Sequence, residues 1–136
     1  MNLNQVTLPS TDVSRAVGFY CSLGFTLIVD SPPDYARFEC SEGDATFSVH
    51  LVNTAIAGPG AVVYFECRDL DGTYAQLAAR GIVFEAAPTV QPWLWREAYL
   101  RDPDGNLLCL FQAGENRRHP PWRVPHPGSS GERSGR

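Results

Sequence analysis

The sequence predicts an α+β fold: two copies of a β-α-β-β-β unit, their strands forming a cupped mixed sheet around a cavity and their helices on its outer face. Three observations predict it. A Gly58-Pro59-Gly60 break splits the first 115 residues into two stretches of similar pattern. Each stretch alternates short strand-type runs with one run of helical spacing. The two stretches also align at an offset of 57, which sets Asp12 on Asp69 and Leu-Gly-Phe at 23–25 on Arg-Gly-Ile at 80–82. A repeat of this length means two copies of one supersecondary unit, here about 3–55 and 61–113.

The elements follow in order. Residues 3–9 read as a strand ended by Pro9. Ser10, Thr11 and Asp12 are competent N-caps, and Val13, Ala16, Val17, Tyr20 and Leu23 recur at helical spacing until Gly24. Strands are expected at 25–29, 35–40 and 45–52, with turns at 31–34 and 41–44. The second copy has a strand at 61–67, then a helix opened by Asp69 and Asp71, carrying Leu70, Tyr74, Leu77 and Ala78, and stopped by Gly81. Residues 82–85 are expected to form a strand, followed by a loop with Pro88. A hairpin closes the unit: an aromatic-rich strand opening at Pro92, the turn Asp102-Pro103-Asp104-Gly105-Asn106, and a strand from Leu107 to Phe111.

Length and composition bound the rest. The 136 residues suit one domain over 1–115, with a Pro/Arg/Gly/Ser-rich tail over 116–136 whose last nine residues are expected to be mobile. Residues 1–115 hold 14 acids and 6 arginines, the tail 1 acid and 5 arginines, and there is no lysine. An acidic body argues against a nucleic-acid partner. No apolar run is long enough to span a membrane, and no signal segment opens the chain, so a cytoplasmic protein is expected. Cys21, Cys40, Cys67 and Cys109 form no CxxC pair and are expected to be reduced core fillers. There is no GxSxG elbow, no phosphate loop and no HExxH.

The Phe19-Tyr20 and Leu23-Gly24-Phe25 pair, with the Arg101–Asn106 run, resembles the vicinal oxygen chelate superfamily of glyoxalase I, the extradiol dioxygenases and the bleomycin-resistance proteins. The resemblance covers residues 3–113. The run from Pro92 through Trp93 and Trp95-Arg96-Glu97 to Asn106 looks most like bleomycin-resistance members. Metal-using members set one ligand, usually His, Glu or Gln, on each of four cavity-facing strands. The corresponding positions here are Gln5, His50, Val62 and Cys109. Val62 cannot bind a metal and no anionic oxygen is present, so the expectation is no metal and no cofactor; Gln5, His50 and Cys109 are the residues to watch if one binds.

If those four positions face the cavity, alternation adds Thr7, Ser48, Tyr64, Glu66, Leu107 and Phe111. The opposite set is almost uniformly apolar and belongs beneath the helices: Val6, Leu8, Phe47, Val49, Leu51, Val63, Phe65, Cys67, Leu108 and Leu110. The same rule puts Leu94, Ala98 and Leu100 in the core, and Trp95, Glu97 and Tyr99 toward the cavity. It likewise buries Ala36, Phe38 and Cys40, leaving Tyr35, Arg37 and Glu39 outward or cavity-side. The expected ligand-binding set is Gln5, Ser48, His50, Tyr64, Glu66, Trp95, Glu97, Tyr99, Cys109 and Phe111. Aromatic faces with carboxylates suit a flat cationic molecule.

The resulting expectation is a cytoplasmic homodimer of bleomycin-resistance type, an antibiotic-resistance role in which a hydrophobic, cationic small molecule is sequestered without reaction. Two alternatives stand beside it. One is a metal-dependent lyase, isomerase or dioxygenase; the other is a metal-free enzyme using Glu66 or Glu97 as a base. For Trp93 and Trp95 the competing role is a dimer contact, and for Glu97 a surface pair with Arg96.

Overall fold

The structure, a computed structural model, describes residues 1–125. The last nine residues, for which mobility was expected, lie outside this range. Two modules follow one another. The first contains β1 (Gln5–Ser10), α1 (Val13–Ser22), β2 (Thr26–Ser31), β3 (Tyr35–Glu39) and β4 (Thr46–Leu51). The second contains β5 (Val62–Glu66), α2 (Leu70–Ala79), β6 (Thr89–Val90), β7 (Arg96–Arg101) and β8 (Leu107–Gln112), and a 3-10 turn follows at Gly114–Arg117.

Each module builds one four-stranded sheet, ordered β1-β4-β3-β2 and β5-β8-β7-β6. β1 runs parallel to β4 and β5 parallel to β8, and the remaining pairs are antiparallel. The β-α-β-β-β repeat is therefore present in both copies. The sheet surface is carried by two separate sheets that are not closed onto each other. Both helices start as expected: Asp12 and Asp69 accept hydrogen bonds from Arg15 N and Gly72 N, satisfying amides the helix leaves unpaired.

One core serves both modules. Leu8, Phe47 and Val49 of the first pack in one cluster with Leu100, Leu108 and Leu110 of the second. Phe65 bridges the seam, its ring 4.8 Å from Phe25 and 5.5 Å from Phe47. Nearly all of the apolar set assigned to the helix side lies here, with Val6, Val63, Phe65 and Cys67 at its margin.

Several local expectations fail. Pro9 does not end β1 but sits within it, opposite His50; β1 is a sheet edge, where a missing N–H costs no ladder bond. Residues 82–85 form only one isolated bridge, Phe84 to Leu100, and the fourth strand is the two-residue β6 further on. Pro92 to Trp95 is not strand. Leu94 N bonds Gln91 O in a tight turn and Leu94 takes φ 70, so Leu94 is exposed instead of buried, as Leu51 is too. Cys21 is exposed on α1, whereas Cys40, Cys67 and Cys109 are wholly or partly buried.

The β7–β8 turn clasps the first module. Asp104 Oδ1 accepts from Thr11 N and pairs with Arg15 at 2.9 Å, while Asn106 Nδ2 donates to Pro9 O. Tyr20, fully buried on α1, donates to Asp102 Oδ2 at 2.7 Å.

Candidate functional site

The second module's sheet turns an aromatic surface away from its helix. Strand alternation points Val62 and Tyr64 of β5, Cys109 and Phe111 of β8, and Glu97 and Tyr99 of β7 to this side. The register aligns them in rows: Tyr64, Cys109 and Tyr99 in one, Glu66, Phe111 and Glu97 in the next. Trp95 stacks on Phe111 with centroids 4.7 Å apart and planes at 18°, and Tyr64 stands edge-on to both. Cys109, Phe111 and Ala113 form a small separate apolar cluster with Val62, Trp95 and Tyr99 against it. Trp95, Glu97, Tyr99, Cys109, Phe111 and Tyr64 are thus brought together as alternation predicted.

Glu97 is the anomaly in this surface. It is 3% exposed, and it accepts Trp93 Nε1 at 2.9 Å and Tyr99 Oη at 2.8 Å. It is not the surface partner of Arg96, which reaches Asp71 at 2.8 Å. No ion pair among the described residues involves Glu97. A carboxylate withdrawn from water with neutral donors alone is costly unless a cation reaches it. Trp93 is the contributor that sequence reasoning missed. The Gln91–Leu94 turn folds it back over Glu97; Pro92 and the four-residue spacing were the available signal.

The neighbours register the burial and the charge. Burial pushes the Tyr99 phenol well above its ordinary value, with hydrogen bonding to Tyr64 and Glu97 adding to it. Cys109 is pushed up to about 12, first by burial and then by the charge of Glu97. At pH 8 only about one such thiol in ten thousand is ionised. In the native protein Ellman's reagent should modify Cys21 promptly and leave Cys109 untouched until unfolding. Rapid labelling of Cys109 in the folded protein, located by peptide mass, would contradict this packing.

Gln5, Ser48 and His50 lie elsewhere, on the first module's sheet. Gln5 Nε2 donates to Ser48 Oγ at 2.8 Å. His50 is exposed, opposite Pro9 and Tyr35. No hydrogen bond, ion pair or ring contact among the described residues joins this group to the aromatic one. Gln5 and Tyr64 do share the lining of a hollow of about 180 Å³ at the seam between the modules.

Sequence alone could not show this separation, because it depends on how the modules dock. It also bears on the metal question. Gln5 sits opposite Thr46 and His50 opposite Pro9, four residues apart along the ladder or about 13 Å, while Cys109 belongs to the other sheet. The Gln5, His50 and Cys109 set does not fit one ion. Among the described residues no three His, Cys, Asp or Glu side chains gather as a metal site.

Glu66 is exposed at the end of β5 and lines a different cleft of about 960 Å³, with Tyr64, Cys40, Cys67, Leu110 and Arg68. An exposed Arg68–Glu42 pair at 3.2 Å spans this larger cleft. Its floor is the margin of the shared core. None of Trp95, Glu97, Tyr99 and Phe111 lines it. The uncompensated carboxylate, not the larger volume, marks the candidate site.

A sequence profile of the Glyoxalase/Bleomycin resistance protein/Dioxygenase superfamily matches residues 2–110. The chain belongs to that superfamily. Among its relatives, the uncharacterized protein YraH of Bacillus subtilis is 28% identical over 126 residues, covering 82% of this chain and 98% of YraH. A bleomycin resistance protein of Geobacillus stearothermophilus is 29% identical over 128 residues, covering 77% and 92%. A bleomycin-binding protein, solved in complex with bleomycin, superposes with a TM-score of 0.70 at 26% identity, covering 82% of this chain and 98% of its own. Among the described residues of the superfamily member in hand, no helix is long and apolar enough to cross a membrane.

Proposed function

We propose that the protein sequesters a flat, cationic organic molecule on the aromatic face of the second module, as a metal-free binding protein of bleomycin-resistance type. The observation that carries this reading is Glu97, buried and without a cation among the described residues, inside a wall of Trp93, Trp95, Tyr64 and Phe111. A cationic ring system entering there would stack on Trp95 and Phe111 and supply the charge that Glu97 lacks. Nothing in the face is arranged for nucleophilic attack: its one thiol is held protonated, and its carboxylate is already engaged by two donors.

We also read the protein as a homodimer. The short edge strand β6 and the turn after it expose Val90, Trp93 and Leu94 in succession, an apolar edge of the kind a second copy covers. Similarity to bleomycin resistance proteins and to a bleomycin-binding protein supports the ligand class. The test is calorimetric titration of the untagged chain with bleomycin and with ethidium in the presence of a chelator, alongside native mass spectrometry. Saturable binding of either probe at a Kd of about 10 μM or tighter, to a dimer, is expected. Absence of saturable binding for both would end the cation-binding reading.

A further inference from the structure

The other sheet offers a surface of opposite character. On the side of the first module's sheet away from α1, alternation sets Gln5 of β1, Ser48 of β4, and Tyr35 and Arg37 of β3 side by side. Two arginines of the described chain are half-buried, Arg37 and Arg96. Arg96 is paired with Asp71. Among the described residues Arg37 has no carboxylate partner: Glu39, two residues along the same face, makes no ion pair with it, and Arg15, Arg68 and Arg101 hold the other pairs. A partly desolvated guanidinium without an anion is the mirror of the situation at Glu97.

Among the described residues only the Nε of Arg37 is engaged in a hydrogen bond, which leaves its Nη donors for another acceptor. Arg37 Nε donates to Tyr35 Oη at 2.9 Å, and the guanidinium carbon lies 5.4 Å from the Tyr35 ring centre. Tyr35 Oη and Ser48 Oγ are 2.5 Å apart, and Ser48 Oγ also accepts from Gln5 Nε2. Gln5 is itself fixed by the Thr46 hydroxyl on its Oε1. Ser48 is wholly buried, so its one proton needs an acceptor in the network, and Tyr35 Oη is the acceptor present. With Ser48 as the donor, Tyr35 accepts from both Ser48 and Arg37 and keeps its own proton for a further acceptor. Burial pushes the Tyr35 phenol up, yet the bonds from Ser48 and Arg37 and the Arg37 charge outweigh it and bring it below its ordinary value. This agrees with donors converging on that oxygen.

We propose that this face is an oxyanion site, in which the Tyr35 hydroxyl and the outer edge of the Arg37 guanidinium hold a carboxylate, sulfate or phosphate group. Ser48 and Gln5 act as positioning residues that orient Tyr35. Exposed His50, opposite Tyr35, borders the site. This face belongs to a different module from the cation site, and anion binding here does not depend on ligand binding there.

The test is an NMR titration of the full chain with sodium sulfate, and in a second arm sodium benzoate, at constant ionic strength made up with chloride. Saturable shifts at the backbone amides of Tyr35, Arg37 and Ser48 are expected, with sulfate favoured if the site takes free dianions and benzoate if it takes an organic carboxylate. Arg37→Gln should weaken binding roughly tenfold or more, and Tyr35→Phe about threefold, while Arg80→Gln changes nothing. Should Arg37→Gln fold poorly, Arg37→Lys keeps the charge without the fork and should still lose affinity several-fold. A bound anion should also raise the pH at which Tyr35 ionises, seen as tyrosinate absorbance that disappears in Tyr35→Phe. Non-saturable shifts, or unchanged affinity in Arg37→Gln, would overturn the proposal.

Discussion

Asp102→Ala is expected to lower the free energy of unfolding by about 3–5 kcal/mol, from about 1–3 for each buried donor left unpaired. Asp102 is 4% exposed and four donors converge on it. Oδ1 accepts from the amides of Asp104 and Asn106, each at 2.9 Å, and Oδ2 accepts from Asn106 Nδ2 at 2.8 Å and Tyr20 Oη at 2.7 Å. The first three shape the turn; the fourth ties it to α1 of the other module. Burial, and after it the charge of Asp102, drives the Tyr20 phenol far above its ordinary value, so the hydroxyl stays a donor at every working pH. Tyr20→Phe removes one donor and should cost less, about 1–2 kcal/mol. With the turn's acceptor gone as well, the two losses should be strongly non-additive. Urea unfolding curves on the four variants of that cycle provide the check; a loss below about 1 kcal/mol for Asp102→Ala would mean that the clasp is not a structural tie.

The same hairpin shows what could be read in advance. Asp-Pro-Asp-Gly-Asn announces a turn through local chemistry alone, and Gly105 at φ 85 meets the demand for a left-handed position. That the turn would grip Thr11, Arg15 and Tyr20 was not legible, because those partners lie more than 80 residues away in the chain. Sheet faces were legible for a related reason. A two-residue period separates Phe47 and Val49 from Ser48, and Leu108 and Leu110 from Cys109, whatever the modules do to each other. Leu94 broke the pattern because Pro92 opens a turn rather than a strand, and periodicity read through a turn assigns the wrong side. The site set was half legible. Composition and alternation found the aromatic group, but placing Gln5, Ser48 and His50 with it required the docking of two sheets, which neither signal encodes.

Docking also separates charge. The rows of the two sheets correspond: Tyr35 and His50 are paired in the first as Glu97 and Phe111 are in the second, and Arg37 and Ser48 as Tyr99 and Cys109 are. Duplicated positions thus carry a guanidinium network on one face and a carboxylate among indoles on the other. The duplication accounts for the common scaffold. On the two proposals made above, the divergence of those few side chains is what sets a different preference in ligand charge for each face.

Glu97→Gln is expected to weaken binding of a cationic aromatic ligand by about 2–4 kcal/mol, the scale seen when one member of a buried charge pair is neutralised. Part of any loss could arise from geometry, since glutamine offers one acceptor oxygen to the two donors, Trp93 Nε1 and Tyr99 Oη, and presents an amide to the other. Two measurements separate the effects. A neutral aromatic of the same size should show a much smaller difference between wild type and Glu97→Gln, because geometry is shared and charge is not. The Cys109 thiol should also become more acidic in the variant, as the carboxylate that helps hold it protonated is gone. Trp95→Ala is expected to cost about 1–3 kcal/mol for cationic and neutral ligands alike, since it removes the surface that stacks and not the charge. Glu85→Gln, at an exposed carboxylate paired with Arg101, should leave both affinities unchanged. Equal affinity of wild type and Glu97→Gln for the cation, with Cys109 shifted as expected, would show that the buried carboxylate is not what the ligand meets.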